Sequence, residues 1–348
     1  MFTIQVSLTN QCNLGCRYCW VDQTKSTQMT LDIFKQQWFF LKNKLSKVLP
    51  IDEEIRILFF GGEPLLKIDL IEEICKFLSN DEKINFSIST NGILLTQEIR
   101  NKLNELNIKT QISFDGIWNK TNRIFKNGNE TFDLYSDIIQ EKDFIRMVIS
   151  KDCLNSLEEN INYMYSISNN FTFGFSYSGW DESSVKLFDT ISNSFFDLMI
   201  DHFKQGKNLP KNIKMDIRRL FDLTQQQIYP SYCQAGIKRV SFHPDGLIYP
   251  CSKFADDNKH LWFANSNNDE INYDTIKQYQ EKYTQIRTSC EVCPINKICY
   301  IGCLSEIHKA GWLNKTTCEL YKVYFRNIIR IFLLNKNDEK FKTYIFGK

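Results

Sequence analysis

The sequence has no charge of either sign to spare: 43 Lys and Arg against 41 Asp and Glu leave a formal net charge of +2, with the signs interspersed. That excludes the basic stripe of a nucleic-acid-binding or anionic-membrane-binding surface. A secretory signal is missing as well. "MFTIQVSLTNQC" alternates apolar and polar residues from its second position, with neither a charged leading region nor an apolar block. No apolar run approaches bilayer length; the greasiest stretch, Ile328 to Leu334, falls far short of the roughly 20 residues a spanning helix needs, is interrupted by Arg330 and follows Arg326. Internal repeats and low-complexity tracts are absent, and the four histidines are scattered without metal-ligand spacing. What is present is a 348-residue chain, 43% hydrophobic and 24% charged, the balance of a globular protein with one large core or two moderate ones. A cytoplasmic location is expected, with no membrane and no nucleic acid as partner. In a reducing compartment, twelve cysteines read as metal ligands or catalysts rather than disulfides.

Through the first 200 or so residues, strand-like runs alternate with helical patterns. Strands are predicted at 2–9, 55–60, 84–90, 109–114, 144–150 and 171–177, and helices near 30–47, 67–79, 96–106, 131–142, 154–168 and 183–205. Such βα units in series imply a parallel sheet with right-handed crossovers. Several strands set an apolar face against a small polar one: Phe2, Ile4, Val6 and Leu8 against Thr3, Gln5 and Ser7, and Ile84, Phe86 and Ile88 against Asn85, Ser87 and Ser89. Parallel sheets covered on both faces read as continuous apolar runs, and closed barrels fill their interior with branched residues. A curved, partial barrel around a polar ligand is therefore predicted, in preference to a sheet with one solvated face. The pattern loosens after Phe203, so the barrel is assigned to residues 1–206, a linker to 207–231 and a second, cysteine-rich domain to 232–348.

"TNQCNLGCRYCW" places Cys12, Cys16 and Cys19 directly after the first strand, at the end where barrels carry their active sites. Asn13 and Gly15 suit a loop wrapped closely around something. Structural zinc and iron–sulfur clusters take four ligands as a rule, so three thiolates leave one metal position open for a substrate or cofactor. CxxxCxxC with Tyr18 before its last cysteine resembles the radical SAM enzymes, whose cluster binds S-adenosylmethionine (SAM) through amine and carboxylate on the open iron. By that resemblance "FFGGEP" brings Gly61, Gly62, Glu63 and Pro64 to the SAM amino group. "STNG" brings Ser89 and Asn91, and "SFDG" brings Ser113 to the ribose. Arg123 would meet the SAM carboxylate, at a shorter spacing than in relatives. Trp180 would stack on adenine or a substrate side chain, or simply pack.

Downstream the cysteines run Cys233, twelve residues, Gly246, four residues, Cys251, then after a gap Cys290-x2-Cys293-x5-Cys299-x3-Cys303 and Cys318. This resembles the SPASM domain of radical SAM peptide-modifying enzymes; two zinc sites are the alternative. The Pro-Asp-Gly of "HPDGLIYPC" predicts a hairpin delivering Cys251. The resemblance implies that Cys290, Cys293, Cys299 and Cys318 complete one auxiliary cluster, while Cys233, Cys251 and Cys303 hold the other incompletely. Cys75 shares a helix face with Ile71, Ile74 and Leu78 and reads as core. Cys153 reads as a small residue in a first helical turn capped by Asp152, as a hydrogen donor to a substrate radical, or as the eighth ligand of the auxiliary clusters. Tyr321, Tyr324, Phe325 and Phe332 have helical spacing and read as core.

The fold implied by the resemblance is a partial (β/α)6 TIM-like barrel followed by a small α+β SPASM domain. The cofactors implied are three 4Fe–4S clusters and SAM. The activity implied is reductive cleavage of SAM, hydrogen abstraction from a ribosomally made peptide and formation of a thioether or carbon–carbon crosslink. Partners would be the precursor peptide, an electron donor such as flavodoxin or ferredoxin, and, where barrel and SPASM surfaces do not grip the leader, a separate leader-binding protein. Alternatives are an anaerobic sulfatase-maturing enzyme, a peptide epimerase using Cys153, and a non-catalytic metal scaffold. The first is weakened by Ser252, which stands where those enzymes carry a catalytic aspartate.

Overall fold

The computed structural model describes every residue except 25, 52–53, 223–232, 301 and 348. Its strands are β1 (Phe2–Ser7), β2 (Ile55–Phe60), β3 (Ile84–Thr90), β4 (Ile108–Ser113), β5 (Phe144–Ile149), β6 (Phe171–Phe175), β7 (Arg239–Phe242), β8 (Leu247–Tyr249), β9 (Ala264–Asn265) and β10 (Glu270–Ile271). Two compact units emerge. One comprises Met1–Ser113, Ile124–Asn129 and Cys233–Ile286, the other Phe114–Arg123, Glu130–Tyr232 and Arg287–Lys348.

In the first unit β1 to β4 run parallel, with Phe2 opposite Ile55, Ile55 opposite Ile84 and Phe86 opposite Ile108. On the other side of β1 lies β7, also parallel, followed by antiparallel β8, β9 and β10. Helices Leu31–Asn43, Ile68–Leu78 and Gln97–Glu105 connect the strands. Thr30 and Thr96 cap two of them, each hydroxyl accepting the N–H three residues on, of Ile33 and Ile99. Ile71, Ile74, Cys75 and Leu78 form the buried stripe of the second, so Cys75 is core.

The apolar face of β1 is sealed as its alternation predicts. Its polar face is covered too: Thr3, Gln5 and Ser7 are each only 5% exposed. The reason is non-local, since β7 makes β1 an interior strand and the short helix Ser252–Asp257 packs against it. Farther along, Asn85 and Lys109 are exposed and Ser87, Ser89 and Gln111 half-buried, as an open polar face requires.

In the second unit β5 and β6 pair in parallel, Ile145 opposite Phe171. Its core is aromatic. Phe173 and Phe175 meet Phe188, Phe195 and Tyr324 edge-on at ring separations of 5.4 to 6.4 Å, geometry that aligns ring edges with faces. The helix Glu182–Lys204 starts on a reciprocal capping box between Asp181 and Ser184. The helix expected over 131–142 is instead a 3-10 turn, Phe132–Leu134, and one α-turn, Tyr135–Ile138. Asp143 accepts the Gln140 N–H, taking an amide that a continuing helix would need. The expected linker holds a helix, Lys211–Asp222, whose Asn212 Oδ1 accepts from the Phe173 N–H and the Thr172 hydroxyl. That satisfies backbone on β6. The rest of the linker, 223–231, lies outside the described residues. Among these residues no helix is long and apolar enough to cross a membrane.

Candidate active site

The loop after β1 is held against the end of β2 by backbone hydrogen bonds and by Trp20 stacked on Phe60. Gly62 N–H donates to Thr9 O at 2.7 Å and Glu63 N–H to Gln11 O at 2.9 Å. A Cβ at Gly62 would sit 2.2 Å from Gln11 O, and one at Gly61, whose φ is +142°, 2.4 Å from Thr9 O. Only glycine permits this approach. Pro64 then opens a 3-10 turn, Pro64–Lys67, with Glu63 as its cap.

Within the loop, Cys19 N–H donates to Cys16 O and Leu14 N–H to Cys12 Sγ. Burial pushes the Cys12 thiol up to about 12; the Leu14 N–H opposes this, while Glu63, Cys16 and Cys19 push it further. Three thiols and a carboxylate thus lie near enough to repel one another as anions, an arrangement that a cationic cluster would stabilise. The donor set fits an iron–sulfur cluster with three protein thiolates. Among the described residues no three His, Cys, Asp or Glu side chains converge on the point a single metal ion would occupy.

Asn91, at the end of β3, braces the loop: its amide donates to Asn13 Oδ1 at 2.7 Å and to Cys12 Sγ at 3.6 Å. Its own N–H donates to Glu63 Oε2, while Leu65 N–H and the Thr90 hydroxyl donate to Oε1. Glu63 is fully buried, and burial raises its pKa against these three hydrogen bonds. In this geometry Glu63 ties the ends of β2 and β3 together. Ser89 Oγ accepts from Gln111, and Tyr18 and Ser113 are half-buried.

Arg123 belongs to the second unit and is 7% exposed. Its Nε donates to Asp115 Oδ2 at 3.1 Å, and Asp115 Oδ1 accepts the Val148 N–H. Asp115 escaped sequence reasoning, although the "SFDG" motif contains it. Gly116, with φ +66°, lies where a Cβ would meet Asn160 Oδ1 at 2.1 Å. Trp180 donates to Ser176 O and packs edge-on against Phe175. Cys153, 3% exposed, lies in a 3-10 turn, Lys151–Ser156, beside the Ser150 hydroxyl and the Asn122 amide. Burial raises its pKa.

The predicted hairpin forms. His243 and Leu247 close it, and Gly246 takes φ +83°. Cys251 follows β8, and burial pushes its thiol up to about 12, with Cys233 adding to the rise and Arg239 opposing it. In the second unit, burial and then Cys290 and Cys293 raise Cys318. Arg287 there donates to the carbonyls of Asn296 and Cys299. Desolvation first, and then Cys299 and Cys303, raise the pKa of half-buried Tyr321. Tyr324 and Phe325 are core as expected.

Residues 6–141 match the model of the Radical SAM superfamily. Over 169 residues, 46% of the chain, the sequence is 34% identical to an uncharacterized protein of Methanocaldococcus jannaschii, of which it spans 57%. Over 362 aligned positions it is 24% identical to the radical SAM cyclopropyl synthase TigE of Paramaledivibacter caminithermalis, covering 94% of this chain and 73% of that protein. The solved structure of native anSMEcpe with bound AdoMet and Cp18Cys peptide matches with a TM-score of 0.72 and 17% identity, over 94% of this chain and 98% of that one. That likeness establishes the fold.

Proposed function

Starting from a radical SAM domain in residues 6–141, we propose that the chain is a radical SAM/SPASM peptide maturase that installs a thioether or carbon–carbon crosslink. The observation that carries this reading is the loop of Cys12, Cys16 and Cys19, three thiols gathered near one another and near Glu63, clamped to the ends of β2 and β3. When bound, the cluster and SAM supply a 5′-deoxyadenosyl radical that abstracts a hydrogen atom. The chain's own residues have separate tasks. Gly61 and Gly62 let the backbone close around the cofactor, Asn91 orients the cluster loop, and Glu63 fixes Asn91. Tyr18, Pro64, Ser89, Ser113, Arg123 and Trp180 are the further proposed SAM contacts.

Cys233, Cys251, Cys290, Cys293, Cys299, Cys303 and Cys318 are proposed as ligands of two auxiliary clusters, whose role is to take up the electron released on bond formation. A peptide substrate is supported by the fold shared with a peptide-bound structure. Carbon–carbon bond formation is supported by the likeness to a cyclopropyl synthase. The proposed setting is the cytoplasm, with flavodoxin or ferredoxin as electron donor. Anaerobic reconstitution with iron and sulfide, followed by reduction with SAM, is expected to yield 5′-deoxyadenosine and about twelve iron atoms per chain. Chromatography showing no 5′-deoxyadenosine from iron-loaded protein would overturn the reading.

A further inference from the structure

The first unit buries a charged side chain to which the proposed reaction gives no task. Lys253, two residues after Cys251, is 6% exposed. It belongs to the short helix Ser252–Asp257, which packs against β1, β7 and β8. A lysine on such a helix would ordinarily turn its ammonium to water, because burying the charge is costly unless it is compensated. Here Nζ lies 2.8 Å from Asp257 Oδ2, one turn farther on, and 5.5 Å from the centre of the Trp20 ring. Both partners are held in their turn. The Asp257 side chain is itself only 12% exposed. Trp20 lies flat on Phe60 at the end of β2, ring centres 5.7 Å apart and planes 10° from parallel.

Trp20 follows Cys19 directly, and at the other end Cys251 Sγ accepts the backbone N–H groups of Phe254 and Lys253. A line of contacts therefore runs from Cys251, through the backbone and side chain of Lys253, to the indole beside the last cysteine of the cluster loop. It has little slack. Only about 10 Å³ of space remains among Ser7, Trp20, Gly61, Ser252 and Asp256, and close-packed contacts transmit a displacement rather than absorb it. A methionine could fill the same room against Trp20 without a buried charge. What a cation adds is attraction to the face of the indole, which is strongest when the charge is withdrawn from water.

Resting on the function proposed above, we propose that Lys253 is a positioning residue: its ammonium, set between Asp257 and Trp20, holds the indole against Phe60 and so couples the loop of Cys12, Cys16 and Cys19 to the auxiliary ligand Cys251. No bond to iron and no proton transfer is assigned to it. Iron held at Cys251 fixes the backbone of Lys253, and a fixed Lys253 steadies the residue beside Cys19. Coupling between two sites is reciprocal, so the same contacts carry the effect of the first cluster to Cys251.

The test uses the reconstituted full chain and follows iron release to a chelator by electron paramagnetic resonance, the first cluster being recognised by the signal that changes when SAM is added. Lys253→Met keeps the aliphatic stem and removes the charge. It is expected to release first-cluster iron about tenfold faster than the parent, as loss of a group that orients metal ligands does, while iron held in the second unit leaves within about twofold of the parent rate. Equal acceleration at both sites marks a general loss of fold and overturns the proposal. The first cluster's midpoint potential should fall by about 59 mV, a tenfold change in its one-electron equilibrium, because a buried cation is gone. Lys253→Arg keeps a cation that can lie on an aromatic face and should restore both readouts to within about threefold; an Arg variant as impaired as Met overturns the proposal. Cys251→Ala alone should speed first-cluster iron release by about threefold or more, yet by less than about twofold when added to Lys253→Met. Effects that simply multiply overturn the coupling. Lysine acylation read by mass spectrometry should label Lys253 about tenfold or more slowly than the exposed Lys259, and labelling as fast as Lys259 overturns the contact on which the proposal stands. A parent that takes up no iron sinks the proposed function; a parent that takes up iron but shows multiplying rates sinks the coupling alone.

Discussion

The loop of Cys12, Cys16 and Cys19 and the segment from Cys290 to Cys318 both present closely spaced thiols, yet their surroundings are built differently. The first is braced by groups distant in sequence: Asn91 from β3, Glu63 from β2, and backbone contacts that only Gly61 and Gly62 allow. Among the described residues, the second shows bracing from nearby. Arg287 bonds the carbonyls of Asn296 and Cys299, Cys293 N–H bonds Cys290 O, and the helix Lys315–Asn335 carries Cys318. A site held by several strand ends keeps its geometry as long as the sheet does, and so suits the cluster at which reaction begins. A site stapled by local turns depends on its own ligands for order.

The largest expected effect separates these two kinds of site. Cys16→Ala is expected to abolish 5′-deoxyadenosine formation and to remove about four of about twelve iron atoms. Cys293→Ala should remove a similar amount of iron yet keep 5′-deoxyadenosine formation within about tenfold while losing crosslinked product. Iron analysis and chromatography on both variants check this. Equal loss of 5′-deoxyadenosine in the two would erase the distinction.

A smaller effect is expected from a residue that only braces. Asn91→Ala removes the amide donor to Cys12 Sγ and Asn13 Oδ1. Groups that orient metal ligands typically contribute about 10–100-fold in affinity or activity. The variant should therefore retain 5′-deoxyadenosine formation reduced by that factor, with cluster iron lost more readily to a chelator. Chelation kinetics indistinguishable from those of the parent would mean that the glycine-held backbone suffices.

The same contrast explains which features were legible in the sequence. Strands Ile55–Phe60 and Ile84–Thr90 fell where alternation placed them, because their apolar faces are sealed. The glycines of "FFGGEP" were legible through the family resemblance, and the hairpin of "HPDG" because its turn, with Gly246 at φ +83°, demands glycine. Partnerships across the chain were not. Nothing near Arg123 names Asp115, which also accepts the Val148 N–H, as its ion-pair partner, and nothing in "FTIQVS" announces that β7 will cover its second flank. The missed end of the helix expected over 131–142 belongs here too. Its composition suits a helix, but the backbone is extended at Ile139 and the Asp143 side chain takes the Gln140 N–H.

The smallest expected effect concerns stability in the second unit. Asp216, 1% exposed on the helix Lys211–Asp222, accepts the Tyr324 hydroxyl at 2.6 Å through Oδ2, while Oδ1 is buried without a hydrogen-bond partner. Burial pushes its carboxyl from an ordinary 3.8 up to about 7, against the opposing pull of Tyr324 and Arg219. Between those two values the folded chain holds a proton that the unfolded chain has released, so stability falls as pH rises through that window. At about 1.4 kcal/mol per pH unit, the loss by pH 8 is on the order of a few kcal/mol. Asp216→Asn keeps the shape and removes the charge. Its urea midpoint should match the parent's near pH 4 and exceed it near pH 8, where the parent must bury a carboxylate. Urea titrations at the two pH values decide it: equal midpoints at pH 8 would mean that water or Arg219 already compensates the charge.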